Sequence, residues 1–212
     1  MKKTKKKILQ NAIELFNEKG TSNVRLEDIA ERAGMSKGNL HYHYPTKKEI
    51  LEAVLVYLPE ERAQVTNNAE ALLTTLDVIA VIKNYLHFQF AHRFFYRDIF
   101  EIAKIVPEAK IIYEDQLERS DNFTKTFIYL CVGRGYMVPE LHEGHYDFFA
   151  KFASAILQSW LEKRELLGVE KYPLVDVATS MLELNYPYLT EKGMVWYEQM
   201  LERLPELQEE EV

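Results

Sequence analysis

The apolar residues of this 212-residue chain recur at three- and four-residue spacings, and nowhere do they alternate with polar ones. A period near 3.6 lines residues along one face of a helix, whereas a half-buried strand needs a period of two. The chain is therefore expected to be all-α. In the first helix, predicted over 5–19, Leu9, Ala12, Ile13 and Phe16 mark the buried face, and Gly20 is the natural left-handed stop. Short helices follow over 26–33 and 37–44, capped by Ser36 and closed by Pro45. A fourth opens at Thr46-Lys47-Lys48-Glu49, which reads as a capping box. Pro59 marks the expected junction between an N-terminal domain, 1–58, and a larger helical domain, 59–212. The larger domain divides at its Pro and Gly residues into helices over 60–75, 77–96, 97–105, 107–136, 144–167, 173–186 and 190–204. Leu166 to Pro173 forms a connector, and the acidic tail from Glu206 to Val212 is expected to fray.

Charge is distributed unevenly. The net charge is -7, but residues 1–58 carry +4 and the remainder -11. A basic end on an acidic body points to an anionic partner for that end alone. No stretch of roughly 18 apolar residues occurs, so no membrane helix is expected. The basic start is followed by Gln10, Asn11 and Glu14, which interrupt any signal-peptide core, so a cytoplasmic location is expected. Cys131 stands alone, which excludes an internal disulfide, and reads as a small buried residue. No nucleophile–base pair, phosphate-binding Gly loop or metal-ligand spacing is visible, so neither enzyme activity nor a cofactor or metal is expected.

Residues 26–44 have the layout of a helix-turn-helix: a short helix ending at Ala33-Gly34, the turn Gly34-Met35-Ser36, and a second short helix rich in polar and aromatic groups. That geometry lets the second helix enter the major groove while the first crosses the backbone. The stretch from Leu26 through the Ile29-Ala30 pair, the turn, Leu40-His41-Tyr42-His43-Tyr44, Lys47 and Leu51 resembles the TetR family of one-component regulators. The resemblance covers residues 5–55, about a quarter of the chain. It implies that Lys37, Gly38 and Asn39, beginning after Ser36, face base edges. Asn suits adenine, Lys suits guanine, and Gly lets the backbone come close. It likewise implies phosphate contacts for Tyr42, His43, Thr46 and Lys48. Arg25 stands where the family places a capping Thr. It either reaches a phosphate or faces solvent.

Of the 26 aromatic residues, 22 lie beyond residue 58, and seven crowd into 85–100. They suit either a packed helical core or an aromatic-lined cavity. The resemblance implies a cavity for a small effector in the larger domain, for which Phe88, His92, Phe95, Tyr96, Phe100, Tyr113 and Phe127 are candidates. The expected effector is apolar or aromatic. The resemblance also implies a homodimer joined through the last long helices, with Phe152, Ile156, Trp160, Leu184, Tyr188, Trp196 and Met200 as candidate contacts. Two heads about 34–36 Å apart would then read a palindrome in double-stranded operator DNA. The implied function is a repressor released by its effector. The alternative is a regulator of the same fold governed by a partner protein, or an activator.

Overall fold

The computed structural model describes residues 3–59, 78–166 and 174–207. The helix expected over 60–75, the connector at 167–173 and the tail beyond 207 lie outside the described residues, as does the side chain of Trp160. The fold is all-α. Among the described residues the sole extended pairing is an isolated bridge between Met137 and Leu189. No described helix is long and apolar enough to cross a membrane.

By its contacts the chain forms two compact units: Met1–Val65 with Phe88–Glu114, and Thr66–His87 with Asp115–Val212. The first begins with α1 (Lys3–Lys19), which buries Ile8, Leu9, Ala12, Ile13, Leu15 and Phe16. Next come α2 (Leu26–Arg32), α3 (Lys37–His43) and α4 (47–59). The apolar residues of α4, Ile50, Leu51, Val54, Leu55 and Leu58, are buried in one cluster with α1 and with Ile29, Leu40 and Tyr44.

Residues 88–114 add α6 (Arg93–Arg97) and α7 (Ile99–Ile105) to this unit. The helix expected over 77–96 is in fact two, α5 (Val78–Ala91) and α6, separated at His92. No Pro or Gly marks the break. Its cause is Asn17 of α1, 7% exposed. The Asn17 amide donates to Ala91 O at 2.8 Å and accepts from Phe94 N at 3.0 Å. A side chain inserted in this way replaces the i→i−4 ladder on both sides of the gap. The freed Phe90 carbonyl accepts from Arg93 Nη1 at 3.0 Å. Arg97 extends the attachment, donating to Phe16 O at 2.6 Å and Asn17 O at 3.1 Å. Asp98 accepts from Thr21 N at 2.6 Å. Burial of Asp98 opposes its ionisation, but the hydrogen bonds from Arg97 and Thr21 outweigh this and hold its carboxyl below the usual range.

The second unit contains α8 (Ala109–Gly133, from Asp115), α9 (His145–Leu166), α10 (Leu174–Asn185) and α11 (Glu191–Arg203). Its core joins Leu86, Ile128, Cys131, Tyr146, Phe149, Val177, Leu182, Trp196, Tyr197 and Met200. Burial pushes the Cys131 thiol up to about 12, so it behaves as an inert apolar group. Gly193 lets α11 rest on the chain at Tyr136. A Cβ there would stand 1.9 Å from Tyr136 O. That carbonyl accepts from Thr190 N at 3.0 Å, and Thr190 in turn caps α11 through Gly193 N.

Candidate DNA interface and interior cavity

The turn between α2 and α3 is built by its backbone. Gly34, with φ of 63°, donates to Glu31 O at 2.9 Å, and Met35 donates to Ala30 O at 3.0 Å. These are the paired bonds of a Schellman motif, which needs a left-handed residue at this place. Ser36 then caps α3, accepting from Asn39 N at 3.2 Å. At the other end of α2, Asp28 reaches back to Arg25 N at 2.7 Å and supplies the capping contact that an Arg side chain cannot.

Leu40 and Tyr44 are buried and set the rotation of α3. Lys37, Gly38 and Asn39 are left exposed on its first turn. Tyr42 is 84% exposed, and its ring meets that of half-buried His43 edge-on at 5.2 Å. An aromatic with a polar tip held open to water on a short helix costs apolar burial, which makes sense for a surface that meets another molecule. Thr46 caps α4 through Glu49 N at 3.2 Å and remains exposed, and Lys48 is exposed beside Glu52 at 3.6 Å.

Four features here were not foreseen from sequence. Lys37 is ion-paired with Glu27 of α2, and that hydrogen bond holds the Glu27 carboxyl below its usual range. Lys47, unlike its neighbour, is half-buried. It donates to Val24 O at 3.0 Å, and burial lowers its pKa, so it ties α4 to the approach to α2. Lys5 sits over the Tyr44 ring at 5.1 Å, and a Cβ at Gly34 would be 3.9 Å from Lys7 Nζ. Lys5 and Lys7 therefore lie beside the two ends of the reading helix. A two-pronged ion pair from Arg32 to Glu18, at 2.6 Å each, clamps α2 to α1.

The second unit contains a cavity of about 100 Å³. Its walls come from α5, α8, α9 and α10, and include Phe123, Phe127, Phe149, Met181 and Leu184. Of the seven effector candidates, only Phe127 lines it. Phe95 and Tyr96 are buried in the first unit's core, with Tyr113 ring centroids at 6.0 and 6.3 Å. His92 is buried there, its Nδ1 3.0 Å from Phe88 O, while Phe100 is 81% exposed. These six residues all fall in 88–114, the segment that Asn17 and Arg97 hold to α1. Of the dimer candidates, Phe152 and Ile156 are exposed on α9, and Phe148 stacks on Phe152 at 6.1 Å. Trp196 and Met200 are core residues, Leu184 lines the cavity, and Tyr188 is half-buried against Phe149.

Residues 8–54 match the family of bacterial regulatory proteins, tetR family, and residues 57–195 match that of a bacterial transcriptional repressor. The chain belongs to the TetR family. Like other members, it is a DNA-binding transcription regulator with a helix-turn-helix head and a larger helical domain. It is 48% identical over 48 residues to the biofilm operon icaADBC HTH-type negative transcriptional regulator IcaR of Staphylococcus aureus strain Newman. That match covers 23% of this chain and only 26% of IcaR. Among solved structures, a TetR-family regulator from Marinobacter aquaeolei VT8 superposes with a TM-score of 0.76 at 20% identity, covering 96% of this chain and 99% of the other. A putative transcriptional regulator from Saccharomonospora viridis in complex with choline gives 0.67 at 21% identity, with 88% and 98% covered. At such identities the likeness is one of fold.

Proposed function

We propose that this TetR-family chain is a cytoplasmic repressor that binds a palindromic operator as a homodimer and is released when a small molecule enters the second unit. The observation that carries the DNA-reading part is α3: anchored by Leu40 and Tyr44, it leaves Lys37, Gly38, Asn39 and Tyr42 open to solvent. Lys37 and Asn39 read base edges. Gly38 admits close backbone approach. Arg25, Ser36, Tyr42, His43, Thr46 and Lys48 position the head on phosphates. Lys37 exchanges Glu27 for the DNA as it does so.

Dimerisation is assigned to α9, where Phe148, Phe152 and Ile156 form an exposed apolar stripe at four-residue spacing. One reading helix spans too few base pairs for specificity, and a two-fold axis doubles the site. The effector part rests on the cavity, together with the path of the chain. The backbone passes between the two units three times, so a change of packing in the second has several covalent routes to the first.

The test is selection from a random double-stranded DNA pool, followed by titration of the selected site at several salt concentrations. A palindrome is expected, with log affinity falling linearly with log salt. Lys48→Ala removes one phosphate contact from each protomer and should reduce that slope by about two. Failure to enrich any sequence would remove the reading. A second reading is a regulator without a small effector. The modest cavity favours it, because ligand sites usually offer roughly 300–1,000 Å³. A monomer-to-dimer stability and operator affinity indifferent to any compound would select it.

A further inference from the structure

We propose that the cavity of the second unit takes an uncharged, largely apolar ligand carrying one hydroxyl-type group, and that Asn185 is the residue that recognises this group. The inference rests on reading the cavity as an effector site.

The composition of the wall comes first. Among the described residues that line the cavity there is no Lys, Arg, His, Asp or Glu. Moving an ionised carboxylate or ammonium into such surroundings forfeits its hydration with no countercharge in return. Most of the wall is Val, Ile, Leu, Met and Phe, which accept aliphatic or aromatic carbon and hold no ordered water by themselves.

The polar residues of the wall are Tyr85, Ser120, Thr124, Ser154, Ser180 and Asn185, and Ser180 Oγ is spent on Asp176 O at 2.8 Å. Tyr85 Oη and Ser120 Oγ share a hydrogen bond of 2.8 Å, and Ser120 Oγ lies 3.4 Å from Ser154 Oγ. The second distance is long for two hydroxyls, so the Ser154 end of this row is weakly engaged. Asn185, at the end of α10, donates from Nδ2 to Met181 O at 2.7 Å. A carbonyl can only accept, so the amide nitrogen must face Met181 and Oδ1 must turn away. That Oδ1 is buried and has no hydrogen-bond partner among the described residues. A buried amide oxygen without a donor is unfavourable, and it stands on a residue of the cavity wall. Water does not reach Asn185 Oδ1 in this structure; a ligand hydroxyl that parts the wall there repairs the defect by donating to Oδ1, and its own lone pairs can accept from the serine row. An ether offers only the second of these contacts. A carboxylate offers no donor and brings a charge.

The volume fits the same picture. At about 100 Å³ the space is smaller than the engineered ~150 Å³ apolar cavity that holds a benzene ring. A larger ligand must spread the helices, and that differential affinity for an expanded state is what effector control requires.

The experiment uses the full chain and four matched probes: n-hexanol, its isomer di-n-propyl ether, hexanoate and hexyltrimethylammonium, each titrated by calorimetry at neutral pH. The alcohol should bind about tenfold more tightly than the ether, with both ions weaker still. Asn185→Leu should bind the ether unchanged and lose the preference for the alcohol. Ala153→Phe, which fills the cavity, should abolish binding of all four. If that variant does not fold, the lost preference in Asn185→Leu carries the localisation. Tighter binding of either ion, or an alcohol preference that survives Asn185→Leu, would overturn the ligand chemistry while leaving an effector site in place. Silence from all four probes would overturn the effector reading and this inference with it.

Discussion

Asn17 offers the sharpest test of how the reading head is held. Replacing it with Leu keeps the side chain's size and removes both hydrogen bonds that separate α5 from α6, those to Ala91 O and from Phe94 N. The site is buried, so water cannot substitute. Each orphaned backbone group costs about 1–3 kcal/mol, which puts the total near 2–6 kcal/mol. For a chain of this size that corresponds to a fall in melting temperature of roughly 4–24 °C at fixed protein concentration. Urea unfolding followed by far-UV circular dichroism measures it, and the denaturant slope should hold. Asn17→Asp should not rescue, because it restores the acceptor for Phe94 N but sets a second oxygen against Ala91 O. Stability within about 0.5 kcal/mol of the parent for Asn17→Leu would refute the reasoning. It would mean that residues 78–97 close into one continuous helix at no cost, and that something other than Asn17 breaks them at His92.

Three further outcomes follow from the same contacts. Gly38 lies in helical backbone, and a Cβ added there would meet no atom within 4 Å, so Gly38→Ala should stabilise the free protein by about 0.5–1 kcal/mol; operator affinity should nonetheless fall at an unchanged salt slope, as anisotropy titrations would register. Gly193→Ala sets a methyl against Tyr136 O and should destabilise by about 2–4 kcal/mol, seen as a drop in thermal midpoint that shortening no nearby flexible side chain can relieve. Asp98→Asn should cost about 1–3 kcal/mol at neutral pH. Because the folded carboxyl titrates below its usual range, its contribution is complete above the ordinary carboxylate pKa and is lost as pH falls through the folded value. Urea midpoints of variant and parent should therefore converge on acidification.

The reading head was legible from sequence because its determinants are local. Gly34 at a left-handed position, Ser36 and Thr46 at N-caps, and Leu40 and Tyr44 four residues apart each act within one turn of chain, and the structure shows the corresponding bonds and burial. Helix boundaries elsewhere were legible where a Pro enforced them, as at Pro107, whereas α8, expected to run to residue 136, stops at Gly133. The gap at His92 was not legible, since Asn17 makes it from 74 residues away. The aromatic-rich stretch 85–100 carried two meanings that composition alone could not separate. Helical periodicity says that Phe95 and Tyr96 are buried; it does not say in which core.

The amino-acid sequence by itself thus determined the all-α class, the order of the helices, the helix-turn-helix and the exposed face of its second helix, because periodicity, capping and turn chemistry operate over a few residues. Only the tertiary structure decided that residues 88–114 pack with the N-terminal head, that Trp196 and Met200 belong to the second core, and that the cavity wall is drawn from α5, α8, α9 and α10. Those outcomes depend on contacts between residues far apart in the chain, where the choice of partner is made by shape, by the pairing of buried polar groups and by the space left over.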